Sequence, residues 1–130
     1  MSTKYSVNIE KFAERHYIKT FSKKYGRAWA VTLETLIREF QSFDVLVENK
    51  LTDVICGSDS IKICKFDFRV AGTNESRHGS GNRCILAIDK LKSTVSVLLV
   101  YGKTDIGGGK ETANWKNIIR DNYPVYRNLL

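Results

Sequence analysis

The stretch from Phe66 to Lys103 limits what this chain can fold into more than any other. It reads as strand, glycine-rich basic loop, strand, tight turn, strand. Cys64, Phe66, Phe68 and Val70 alternate with Lys65, Asp67 and Arg69, the period of two that puts one face of a strand in a core. Ala71 to Asn82 holds no large apolar residue and reads as a surface loop. Arg83 to Asp89 and Thr94 to Lys103 are apolar at nearly every position, as central strands covered on both faces are. The four residues Lys90 to Ser93 are short enough to force an antiparallel hairpin between them. Arg83 then begins one central strand where Lys103 ends its neighbour, and the loop carrying Arg77 and His78 opens at the same edge.

Around this core the pattern predicts a short first strand at Tyr5 to Ile9. Phe12, Tyr17, Phe21 and Tyr25 follow at helical spacing, with Arg15, Lys19, Lys23 and Lys24 on the wet face. Gly26 is placed to end that helix with a positive φ. Trp29, Leu33, Leu36, Ile37 and Phe40 mark one side of a second helix, which leaves Thr32 on the other. Asp44 is a candidate cap for a third, on which Val47, Leu51, Val54 and Ile55 share a face. A last helix begins near Glu111, buries Trp115, Ile118 and Ile119, and ends before Pro124. The expected class is α+β: an N-terminal strand and helical hairpin packed on a small, mainly antiparallel twisted sheet, with a C-terminal helix. Residues 1–130 are read as one domain.

The net charge of +7 points to nucleic acid, an acidic membrane face or an acidic protein as partner. No apolar run approaches the ~18 residues of a membrane span, and the N-terminus does not read as a signal peptide. Cys56, Cys64 and Cys84 lack CxxC spacing and have no histidine close in sequence. They read as reduced, buried thiols of a cytoplasmic protein rather than as metal ligands. Arg83 heads a central strand, where an unpartnered guanidinium is costly. A phosphate-binding role is favoured over a structural pair with Asp67 or Asp105. His78 has the side chain best suited to serve as an acid or a base, or is a plain loop histidine. His16 reads as a surface residue, and Tyr101 either stacks on a base or packs in the sheet. Gly72, Gly79 and Gly81 would let the loop approach a ligand or make it mobile. Neither loop matches the P-loop pattern.

The segments YSVNIEKF (Tyr5 to Phe12), HYIKTFSKKYG (His16 to Gly26), GNRCILAID (Gly81 to Asp89), VLLVYGKTD (Val97 to Asp105) and ETANWKNII (Glu111 to Ile119) follow one another in a familiar order. Together they resemble the RelE/ParE superfamily of bacterial toxins, and more closely its RelE and HigB members. Phe43 to Ser60 is longer than a compact member needs.

The resemblance implies a toxin of a type II toxin–antitoxin system. Such a protein is a metal-independent, cofactor-free mRNA endoribonuclease that acts at the ribosome, inhibits translation, and is held by an acidic antitoxin protein. It would be a monomer alone. By the same resemblance Arg83 and Lys103, with His78 and Arg77, are the catalytic candidates. Arg69, Tyr101, Arg15, Lys19, Lys23 and Lys24 are candidates for holding RNA. Thr104 stands where the best-known branch has arginine, and no tyrosine matches clearly at the C-terminal end, although Tyr123 and Tyr126 are available. The alternatives are a ParE-like toxin that binds DNA gyrase, or a basic RNA-binding protein of the same fold that does not cut.

Overall fold

The computed structural model describes residues 4–107 and 109–130; Met1 to Thr3 at the polar N-terminus and Gly108 of the glycine-rich loop lie outside the described residues. Five strands form one sheet in the order β1-β5-β4-β3-β2: β1 (Ser6–Ile9), β2 (Thr52–Gly57), β3 (Ile61–Phe68), β4 (Asn82–Asp89) and β5 (Thr94–Gly102). β1 runs parallel to its neighbour β5, and the other pairings among the described residues are antiparallel. The apolar runs of β4 and β5 are buried on both faces, as their composition requires. A register shift between Ile85 and Leu86 adds one residue to β5 and leaves the hairpin otherwise regular.

Two apolar clusters lie on opposite faces of the sheet. On one, Phe66, Phe68, Cys84, Leu86 and Val100 meet Tyr17, Phe21, Trp29 and Phe40 from the N-terminal helices. On the other, Ile63, Ile85, Leu99 and Tyr101 meet Trp115, Ile119 and Tyr123 from the C-terminal segment. The first helical stretch is α1 (Lys11–Tyr17), a wider π turn (Ile18–Ser22) and α2 (Lys23–Tyr25). It bridges both clusters, because Phe12 meets Tyr123 at 5.8 Å while Phe21 stacks on Trp29 at 5.0 Å. Gly26 ends it at φ 54°, and α3 (Arg27–Gln41) follows directly. The last helix, α5 (Glu111–Asn122), leads into a 3-10 turn (Pro124–Leu129).

The third helix, α4 (Phe43–Glu48), is shorter than its spacing suggests. It closes with Lys50 at φ 57° and the Leu51 amide donating to the Leu46 carbonyl at 2.9 Å, a helix-ending motif. Val54 and Ile55 therefore belong to edge strand β2 and not to a helix. Asp44 does not cap the helix either; its carboxylate accepts from the Tyr5 hydroxyl at 2.9 Å.

Thr32 is buried, contrary to its expected wet position. Its hydroxyl donates to the Ala28 carbonyl and accepts from the Ala71 amide at 2.8 Å, which ties the loop to α3. His16 is half-buried, and its Nδ1 lies 2.9 Å from the Val100 carbonyl. A carbonyl can only accept, so Nδ1 carries the proton. The Tyr123 hydroxyl donates to the nearby Leu98 carbonyl at 2.6 Å. These side chains satisfy β5 beyond the end of β1, where no strand pairs with it. All three cysteines are free; Cys64 and Cys84 are buried and Cys56 only partly so. Among the described residues no helix is long and apolar enough to cross a membrane.

Trp29 joins the helices to the sheet, with the rings of Tyr17, Phe21 and Phe68 each within 6 Å of its own. Trp29→Ala is expected to cost about 3–5 kcal/mol, read as a lower midpoint in denaturant. A second expectation concerns alkali. Burial, reinforced by Asp44, raises the Tyr5 phenol from 10.0 to about 12, and burial raises the Cys64 thiol from 9.0 to about 12. Tyr101 and Tyr123 are raised in the same sense. Above pH ~9 the unfolded chain loses these protons before the folded one does. Stability is therefore whole below that pH and falls as pH rises toward 12. A tyrosine absorbance titration should show phenolate appearing together with loss of folded structure.

Candidate functional site

The loop between β3 and β4 is ordered by its small residues. The Ser80 hydroxyl donates to the Phe68 carbonyl at 2.5 Å or the Arg77 carbonyl at 2.8 Å, and accepts from the Asn82 amide at 3.0 Å. The Gly79 amide donates to the Ser76 hydroxyl at 2.9 Å, and a Cβ on Gly79 would meet that oxygen at 2.7 Å. Gly81 has φ 77°, and its carbonyl accepts from the Lys103 amide at 2.9 Å. Gly79 and Gly81 are thus held by bonds within the protein.

Lys103 begins a short 3-10 turn just past β5, its side chain exposed and lying over Gly81. Across from it stand Thr20, Lys24 and Tyr25 of the first helical stretch, which with Ser80 to Asn82 enclose a cleft of about 360 Å3. Lys24 and Lys103 bring two ammonium groups to this cleft, and Glu75 and Asp105 bring two carboxylates. Asp105 accepts from the Gly102 amide at 3.0 Å, so part of its charge is spent on holding the turn that carries Lys103. Arg15, Lys19 and Lys23 are exposed on the same helical stretch and do not line the cleft.

Two expected members face elsewhere. Arg83 is 1% exposed. The register pairs it with Asp67 on β3 and Tyr101 on β5, all on the face covered by α5. Its Nε lies 3.0 Å from Asp67 and 3.7 Å from Glu111, and its terminal nitrogens donate to the carbonyls of Asn82 and His78. The Nε–H is not aimed at Asp67 Oδ1, so that pair is a close contact of charges without an aligned hydrogen bond. The structural pair with Asp67 is thus present, and the open phosphate-facing guanidinium expected at the strand head is not. Tyr101 is fully buried, and its hydroxyl donates to Glu111 at 2.6 Å. It has no face free for a base. Tyr123 is buried in the same layer.

His78 is 81% exposed, and its Nδ1 lies 3.0 Å from Asp67 Oδ2. Asp67 therefore touches both Arg83 and His78, and it was legible in the sequence only as a possible partner for Arg83. A carboxylate on Nδ1 leaves Nε2 toward solvent as the basic nitrogen. Arg77 pairs with Glu39 of α3 at 3.1 Å and lies over the Phe66 ring at 5.2 Å. Arg69 is exposed, and its Nη1 donates to the Glu75 carbonyl at 3.5 Å. The site thus divides into a cleft with Lys24 and Lys103, a pair between Asp67 of β3 and His78 of the loop, and an arginine pair beside α3. Among the described residues no group of three or more His, Cys, Asp or Glu side chains is arranged to hold a metal ion.

No family model matches this chain, and no curated protein matches it in sequence. Its fold is similar to a solved chain of an archaeal RelE–RelB complex from Pyrococcus horikoshii OT3. The likeness has a TM-score of 0.50 at 14% identity and covers 78% of this chain and 98% of that one. The α+β fold, with helices on a five-stranded mixed sheet, is RelE-like.

Arg83→Ala leaves the partly buried carboxylates of Asp67 and Glu111 without their cation. The expected cost is about 3–5 kcal/mol, a fall in Tm on the order of 10 °C. A calorimetric melt within 2 °C or so of the parent protein would show instead that the ion pair adds little.

Proposed function

We propose that this protein is the toxin of a type II toxin–antitoxin system and an endoribonuclease acting on mRNA, at the ribosome, in the cytoplasm. The observation that carries the reading is the pair of Asp67 on β3 with His78 on an ordered loop whose next turn lies under the Lys103 side chain. The RelE-like fold supports it, and so does the net charge of +7, which suits both RNA and an acidic antitoxin. The solved relative is described as a RelE–RelB complex, and by analogy this chain is held by a partner antitoxin.

In the proposed reaction His78 Nε2 removes the proton from a ribose 2′-hydroxyl, and Asp67 faces the imidazolium that forms. The 2′-oxygen attacks the adjacent phosphorus and the bond to the 5′-oxygen breaks. The Lys103 ammonium meets the charge that builds on the phosphorane. The departing 5′-oxygen takes a proton from Lys103 or from water. The products are a 2′,3′-cyclic phosphate and a free 5′-hydroxyl. Lys24 and the exposed Arg15, Lys19 and Lys23 hold the flanking backbone, and Arg69 meets it on the loop's other side. Arg83 acts through the residues it fixes. No cofactor or metal enters this scheme.

A second reading has its own support. Burial removes Arg83 from the catalytic set and Tyr101 from the RNA-holding set, and two carboxylates share the cleft with the lysines. Both observations favour a protein of this fold that binds without cutting. Induced expression in a bacterial host with mapping of transcript 5′ ends separates the two. Growth arrest with new 5′-hydroxyl ends supports the nuclease; arrest with intact transcripts points to a protein target such as DNA gyrase.

His78→Ala and Lys103→Ala are each expected to lower cleavage by roughly a hundred- to thousand-fold. Their melting temperatures should stay within about 2 °C of the parent protein, because both side chains are exposed. Binding to single-stranded RNA should weaken steeply as salt rises. Full toxicity in both variants would remove this site from the mechanism.

A further inference from the structure

A second concavity, of about 320 Å3, lies beside α3 across the loop from the lysine cleft. Its apolar lining comes from Leu36, Phe68 and Ala71, and its polar lining includes Thr35, Glu39, Arg69 and Arg77. At that volume it stands at the small end of ligand pockets, with room for a nucleobase. Resting on the RNA reading above, the geometry points to a subsite here for a single unstacked guanine.

Three features lead there. The Arg77 guanidinium already has Phe66 on one side, 5.2 Å from the ring centre. Its opposite face is the kind of flat cationic surface on which a splayed-out base stacks. Arg77 Nη1 is also buried and without a hydrogen-bond partner, so the guanidinium is not fully satisfied within the protein. Glu39 then selects the base. Arg77 takes one position on Glu39 Oε2 at 3.1 Å, and an ionised carboxylate offers about four lone-pair sites. The remaining sites can only accept. Guanine alone among the RNA bases presents two adjacent donors on its Watson–Crick edge, N1–H and the N2 amino group. Adenine, cytosine and uracil each place an acceptor next to their donor and would set it against Glu39. Arg69, exposed at the rim, is placed for a flanking phosphate.

The test uses the whole protein and short uridine-rich RNAs, blocked by 2′-O-methyl groups and differing only in one central guanosine, inosine or adenosine. Inosine lacks the N2 amino group and needs no change in the protein. By fluorescence anisotropy at low salt, guanosine should bind about tenfold tighter than inosine and at least as far above adenosine. Glu39→Gln should abolish the preference for guanosine over inosine and adenosine, with circular dichroism confirming that the variant folds. Equal affinity for the three RNAs, alongside salt-sensitive binding, would overturn the subsite and leave the RNA reading standing. Failure to bind any RNA would overturn both.

Discussion

The buried guanidinium of Arg83 is the interaction on which the organisation of the site depends. It reaches Asp67 on β3, Glu111 on α5 and the backbone carbonyl of His78 in the loop. Three parts of the chain distant in sequence are thereby held to one charge. Removing a guanidinium from water is costly, and a buried ion pair is weak evidence for net stability. Its effect is better described as geometric: with Arg83 in place, Asp67 is oriented and the loop carbonyl is fixed. The Tyr101 hydroxyl on Glu111 completes the set and keeps that second carboxylate hydrogen-bonded.

From that anchor the exposed chemistry follows. Asp67 presents its other oxygen to His78, and the turn from His78 to Gly81 is closed by Ser80 and by the Lys103 amide. The loop is glycine-rich, yet its serines and glycines bond it to β3 and to the end of β5. Such a loop offers side chains to a ligand without first having to be ordered, which lowers the entropic cost of binding. It also separates two concavities of different character. One carries two lysines and two carboxylates; the other carries two arginines, a glutamate and an apolar floor.

Much of the fold was legible because the strongest patterns are also the most buried. The unbroken apolar runs of β4 and β5, the helical spacing around Trp29, Leu36 and Phe40, and Gly26 at its turn each have one reading that satisfies burial. Leu51, Val54 and Ile55 read as the face of a helix, because their spacing suits a helix as well as an edge strand. The β-branched pair before Gly57 and the left-handed Lys50 decide for the strand. Glycine is needed at 57 because a Cβ there would run into the Ile61 carbonyl. Arg83 was misread for a different reason. Its position at the strand head was right, but strand parity turns it to the face opposite Cys84, where α5 lies. Its partner Glu111 is 28 positions away, and only the tertiary fold brings the two together. The Asp67–His78 pair had the same obstacle: neither local spacing nor composition relates a strand residue to a loop histidine.

The central claim is that Arg83 braces the site from within rather than meeting RNA. Hydrogen exchange at the arginine Nε–H groups, followed by NMR, tests it most directly, with exposed Arg69 as an internal reference. The account predicts that the Arg83 Nε–H exchanges orders of magnitude more slowly than that of Arg69 and is unmoved by added single-stranded RNA. Exchange as fast as at Arg69, or a large shift of the Arg83 signal on RNA binding, would contradict it.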